Sequence, residues 1–198
     1  LFTAGDAAAE RIFFAGYKGG LYIRSEEEAG MELRLGGSFQ ADYRYYFESQ
    51  RAANRFDIRR ARLIFRGQVT RWVRFGLEYE FQGNETSNLV DAFGELVYQR
   101  HALRFGQFKV PFSLQWQTRD KGTYFAERSM GDDLGPGRDI GVMLHGSFFR
   151  ESLYYAGGLF NGDGDDGSTR GNQHDDPEVA FRLAWSPFLN AGGKWLRG

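Results

Sequence analysis

The sequence predicts an all-β protein, an antiparallel up-and-down β-barrel whose strands cross a membrane. Three observations predict it: long segments in which apolar and polar residues alternate, a regular alternation of short and long connections, and a composition rich in glycine and aromatic residues without cysteine. Alternation with period two defines a strand with one apolar and one polar face. A tilted strand that crosses a bilayer needs about 9–11 residues, whereas strands of globular proteins average about 5–6.

The longest alternating segment is MELRLGGSFQADYRYYF, residues 31–47. The same alternation recurs in RARLIFRGQV, WVRFGLEYEF, VDAFGELVY, ALRFGQFKV, IGVMLHGSF, SLYYAGGLF and EVAFRLAW. These segments predict about eight strands between residues 31 and 186. A further apolar segment near 12–23 is either one more strand or an N-terminal extension.

The connections between these segments alternate in length. They are predicted at 48–56, 70–71, 82–88, 99–101, 111–138, 149–151, 162–177 and 187–194. A membrane barrel has tight turns on one side of the membrane and long loops on the other, which produces this rhythm. A β-sandwich with Greek-key links is not expected to keep it.

The composition excludes several classes of function. The chain has 198 residues with a net charge of −1, so charge alone gives no affinity for nucleic acid. No run of 18 apolar residues predicts a transmembrane helix. The three histidines show no metal-ligand spacing and the serines lack a nucleophile elbow, so neither a cofactor nor an enzymatic activity is expected. The Gly- and Asp-rich segment 160–177 resembles a calcium loop, but it lacks the spaced bidentate acid and the flanking helices, and we interpret it as a solvated loop.

The polar strand faces are rich in arginine. The segment IRRARLIFR alone contains four arginines. One interpretation is a wet lumen in which these arginines pair with Asp42, Glu78, Glu80, Asp91 and Glu95 on neighbouring strands. The other is an anion pathway, because rings of Arg and Lys select anions and the planar guanidinium matches phosphate oxygens.

Six motifs in their order give the chain a resemblance to a known family. RRARLIFRG, FGLEYEF, DAFGELVY, LRFGQFKVPFS, FAERSM and GPGRDIGVML resemble the phosphate-selective porin O and P family, over roughly residues 31–188. The resemblance implies a sixteen-stranded barrel in the bacterial outer membrane, assembled as a homotrimer. It also implies that the third extracellular loop, residues 111–138, folds into the lumen and narrows it.

The resemblance also implies a function and its residues. The protein would be a passive channel for inorganic anions such as phosphate and pyrophosphate, held in outer-membrane lipid, with no cofactor. The RR and DAF motifs carry Arg59, Arg60 and Asp91 as residues of the narrow zone. Further lumen candidates, chosen by the strand face on which they lie, are Arg34, Arg44, Arg62, Arg66 and Arg74.

Residues 1–198 are expected to form a single porin barrel domain, an N-terminal fragment, because eight or nine strands are about half of sixteen. Three alternatives remain at this point: a general porin or one specific for another substrate, without phosphate preference; a small structural or adhesive outer-membrane barrel; and a soluble β-sandwich binding module, whose apolar strand faces a second sheet would cover.

Overall fold

Ten antiparallel strands form one sheet in the computed structural model, in which each strand pairs with the next along the chain. The structure describes residues 13–26, 30–45, 54–82, 88–112, 117, 136–162 and 177–187. The all-β, up-and-down prediction is confirmed. The strands are β1 (Phe13–Tyr17), β2 (Leu21–Ser25), β3 (Glu32–Arg44), β4 (Arg55–Thr70), β5 (Val73–Glu80), β6 (Leu89–Tyr98), β7 (His101–Lys109), β8 (Arg138–Phe148), β9 (Leu153–Phe160) and β10 (Glu178–Trp185).

The N-terminal apolar segment forms two strands instead of one. β1 and β2 pair as a hairpin around Gly19 and Gly20, whose φ angles are 67° and 157°. Such angles favour glycine, which lacks a Cβ atom, so the glycine pair allows a reversal inside what reads as one apolar run. The described strands therefore number ten, more than the eight or nine predicted.

The predicted rhythm of connections is present. Short turns at 71–72, 99–100 and 149–152 alternate with longer links at 45–54, 81–88, 110–137 and 161–177. We call the two edges of the sheet the short-turn side and the long-loop side. No helix among the described residues is long and apolar enough to span a membrane.

One face of the sheet is apolar and uncovered. Phe39, Phe181 and Leu183 expose 71%, 67% and 59% of their surface, and many other apolar side chains on the same face are similarly exposed. A water-soluble sheet would bury this face against a second layer. An uncovered apolar face across ten strands is the lipid-facing surface of a barrel wall.

Aromatic pairs mark both ends of this apolar face. On the long-loop side the rings of Tyr43 and Phe56 lie 4.8 Å apart. On the short-turn side Trp72 stacks on Tyr98 at 5.9 Å, and Phe148 stacks on Tyr155. Girdles of aromatic residues at both membrane interfaces are typical of transmembrane barrels.

Glycines within the strands make room for aromatic rings of the adjacent strand. Gly94 lies beside Phe105, and a Cβ atom on Gly94 would come within 2.6 Å of that ring. Gly67 has the same relation to Phe75. The glycines weaken the strands locally but let the rings lie flat across the sheet.

The polar face has an apolar region on its C-terminal half. Phe108, Val110, Met143, Ala156, Phe160 and Ala180 form the buried cluster, with Phe93 and Tyr154 packed against it. The ring of Phe108 meets that of Phe160 edge-on at 5.6 Å. The arginines of β3 and β4 therefore lie on the part of this face that is away from the apolar cluster.

Candidate anion-binding face

A β-bulge in β4 places two consecutive arginines on the same face of the sheet. Gln40 pairs with Arg60 and Ala41 pairs with Ile58, so Arg59 is an extra residue in the ladder. Arg59 reaches Asp42 on the polar face, with 3.4 Å between Nη1 and Oδ2. Strict alternation would have sent Arg59 to the lipid face, opposite to Arg60. The bulge thus brings together the two arginines that the RR motif singles out.

Arg62 is held by two glutamates of the adjacent strand. Its Nε donates to Glu80 Oε2 at 2.6 Å, and its Nη1 donates to Glu78 Oε1 at 3.0 Å. The other oxygen of Glu80 accepts the backbone N–H of Ala61 at 2.7 Å. All three charged side chains are less than 20% exposed. The positive charge of Arg62 is therefore largely neutralised by these two carboxylates.

Arg34, Arg66 and Arg74 form a more exposed group toward the short-turn side. Arg34 and Arg66 are direct cross-strand partners. Two residues further along β4, Gln68 pairs with Arg74. Arg34 contacts Glu32, and Arg74 donates to Gln68 Oε1 at 3.4 Å. Arg66 makes no ion pair within the part of the chain that the structure describes. We call Arg34, Arg66 and Arg74 the cationic group.

The two remaining predicted residues have acidic or basic partners. Arg44 shares Asp57 with Arg55, at 3.7 Å from each. Asp91 accepts a hydrogen bond from Nε of Arg138 at 2.8 Å, and both side chains are mostly buried. All eight predicted site residues therefore lie on the polar face of β3–β6, although at different heights along the strands.

Sequence analysis named Glu95 as an ion-pair partner on this face but did not predict the cluster that it forms with Arg104 and His145. Glu95 Oε1 lies 2.6 Å from Nη2 of Arg104 and 3.1 Å from Nε2 of His145. The guanidinium of Arg104 also lies 4.3 Å from the ring centre of Phe93. The alternation of β6, β7 and β8 already puts these residues on one face, but the strand register that aligns them is visible only in the folded sheet.

The calcium-like segment of the sequence, with Asp163, Asp165 and Asp166, lies outside the described residues. Within the described ranges, no group of three or more His, Asp or Glu side chains is arranged to hold a metal ion.

A ten-stranded up-and-down sheet with a lipid-facing apolar surface, two aromatic girdles and a charged opposite face defines the class: a transmembrane β-barrel wall. The family model of phosphate-selective porin O and P matches residues 33–197, and the chain belongs to this family. It is a bacterial outer-membrane porin, and its family is one of channels rather than enzymes. No curated protein and no solved structure matches the chain significantly. In outer-membrane barrels the short turns are periplasmic and the polar face of the wall lines the lumen.

Proposed function

We propose that this porin is a passive channel for anions, phosphate or pyrophosphate, which bind to arginines of its lumen. The observation that carries the proposal is the cationic group. Like charges directly opposite each other on a sheet are destabilising, and Arg34 and Arg66 stand in this relation. An anion between them would relieve the repulsion. Their exposure keeps such a site accessible from the lumen.

The mechanism needs no cofactor and no energy input. Anions entering from the long-loop side would meet Arg44, then Arg59 and Arg60 at the narrow zone, then Arg62 and the cationic group. Several sites of moderate strength allow an ion both to enter and to leave. The bidentate fork of arginine suits phosphate oxygens better than a point charge does.

The third long loop is proposed to narrow this path. Most of residues 111–138 lie outside the described ranges. The two ends of the loop are held together, since Val110 donates its backbone N–H to the carbonyl of Gly137 at 3.2 Å and Lys109 pairs with Arg138. The base of the loop is therefore closed, and it lies beside the Asp91–Arg138 ion pair. Both features support a constriction of the channel at the level of Asp91.

We further propose that the described sheet is part of a sixteen-stranded wall and that three copies assemble as a homotrimer. Both follow from the family. Among the described residues, β1 and β10 are not paired with each other, which is compatible with additional strands between them.

A porin without phosphate preference is the second candidate, and the ion pairs favour it. Arg62, Arg104 and Arg138 each bind a carboxylate within 3.0 Å. A lumen neutralised in this way conducts ions with weak selectivity. The two candidate functions therefore differ in the electrostatic potential of the lumen. An anion channel requires that the cationic group and the Arg59–Arg60 pair make this potential positive.

Planar-bilayer recordings of the full-length protein separate them. We expect an anion-selective reversal potential in chloride and a block of conductance by added phosphate. Both should weaken in the double variant Arg59→Ala/Arg60→Ala and in Arg66→Gln. Lys18→Gln, which removes one positive charge from the exposed β1–β2 turn, is the matched control and should leave both unchanged. Weak or cationic selectivity in the wild type would refute the anion channel.

A further inference from the structure

Each of the three described turns on the short-turn side of the sheet carries an arginine. Arg71 lies between β4 and β5, Arg100 between β6 and β7, and Arg150 between β8 and β9. All three are exposed. We call them the turn arginines. They lie outside the lumen path described above, so conduction does not account for them.

The turn arginines stand next to the periplasmic aromatic girdle. The guanidinium of Arg71 lies 4.5 Å from the ring centre of Trp72, which stacks on Tyr98. Tyr98 immediately precedes the turn that holds Arg100, and it lies on the apolar, lipid-facing side of the sheet. Trp and Tyr rings settle at the level of lipid headgroups, and long basic side chains extend from there toward water.

The third turn has three consecutive residues with positive φ angles. Phe149, Arg150 and Glu151 have φ angles of 52°, 55° and 74°. Positive φ angles are usual in tight β-hairpin turns, and Gln99 in the second turn has one of 54°. Phe149 is 77% exposed beside Phe148. The turn thus presents an apolar ring and a cation side by side at the membrane edge.

The charge of these turns is positive. They contain three arginines and one acid, Glu151. Arg100 makes no ion pair with any other residue that the structure describes. An acidic residue, Glu26, follows β2 on the same side of the sheet, whereas the three turns between β4 and β9 together carry a net positive charge.

We propose that this sector of the periplasmic rim binds the phosphate groups of anionic phospholipids in the periplasmic leaflet. The aromatic rings lie at the boundary between headgroups and acyl chains; they are those of Trp72, Tyr98, Phe148 and Phe149. The guanidinium groups of the turn arginines form bidentate hydrogen bonds with headgroup phosphates. A basic side chain near an anionic lipid surface strengthens binding by about fivefold, the equivalent of roughly 1 kcal/mol. The proposal rests on the orientation of the barrel and not on the ion that it conducts.

Native mass spectrometry of the detergent-solubilised full-length protein, titrated with phosphatidylglycerol or phosphatidylcholine, tests it. We expect tighter binding of phosphatidylglycerol. The triple variant Arg71→Gln/Arg100→Gln/Arg150→Gln should lose about tenfold or more in that affinity. The matching triple Arg→Lys variant should retain most of it, because lysine keeps the charge. Lys18→Gln, on the opposite rim, should behave as wild type.

Single-channel conductance of the triple variant verifies that it is folded and keeps this test separate from that of the anion channel. Equal binding of the two lipids by the wild type, or unchanged phosphatidylglycerol binding by the triple glutamine variant, would overturn the proposal. Displacement of the bound lipid by millimolar inorganic phosphate would point to a soluble phosphate site at the rim and would overturn it as well.

Discussion

Arg34 and Arg66 lie directly opposite each other on the lumen face of β3 and β4. Arg34 has Glu32 beside it, whereas Arg66 makes no ion pair within the described ranges. A sheet built for stability alone would place an acid at one of these two positions. This repulsion is the basis of the anion site that we propose between the two arginines.

Replacement of Arg66 should separate stability from binding. We expect Arg66→Gln to weaken phosphate block severalfold while the protein keeps its stability or gains up to about 0.5 kcal/mol, because a like-charge pair is removed. Phosphate titration in bilayers and urea unfolding in lipid vesicles measure the two effects. A clear loss of stability would mean that Arg66 has a structural partner, contrary to this assignment.

Removal of one glutamate beside Arg62 should increase anion affinity. Glu80→Gln takes away the carboxylate 2.6 Å from Arg62 Nε and leaves the guanidinium less neutralised. We expect phosphate affinity to rise about two- to threefold, given the modest strength of a partly solvated pair. Glu178→Gln, which removes one negative charge from the same face on β10, is the matched control. An equal rise in both variants would show that only net lumen charge matters.

The Glu95 cluster is predicted to stabilise the wall. Glu95 is 7% exposed and is shared by Arg104 and His145. Glu95→Gln should therefore cost about 2 kcal/mol of unfolding free energy, since it leaves mostly buried basic groups without their counter-charge. The exposed pair of Glu32 and Arg34 provides the comparison, and Glu32→Gln should change stability by less than about 0.5 kcal/mol. Urea unfolding of both variants checks this, and equal costs would contradict it.

The glycines beside aromatic rings give a steric prediction. Gly94→Ala should destabilise the barrel by about 1–3 kcal/mol, because the new methyl group collides with Phe105. Phe105→Leu in the same chain should recover part of that loss. Gly36, around which an added Cβ atom meets no other atom within 4 Å, is the matched control. Gly36→Ala should be neutral or slightly stabilising in the same unfolding measurement. A cost at Gly36 equal to that at Gly94 would exclude the collision as the cause.

Part of the candidate site could be predicted, because the face on which a side chain lies depends only on its position along its own strand. Arg62 and Arg66 follow from the period of β4, since every second side chain of a strand points to one face. Arg59 did not follow from that period, because a bulge shifts the register by one residue. Two adjacent arginines within an alternating strand were a usable signal for it. The resemblance pointed to Arg59, and the bulge supplies the physical reason why it can share a face with Arg60.

The sequence by itself determined the fold class, the membrane-facing surface and the rhythm of turns and loops. Each of these depends on the properties of neighbouring residues along one strand or one turn. Only the tertiary structure decided which arginines are neutralised. That outcome depends on register between strands, which aligns Arg62 with Glu80 and Arg34 with Arg66. Cross-strand register is set by the hydrogen-bond ladder and its bulges, and a shift of one residue would change the partner of every charge on the lumen face.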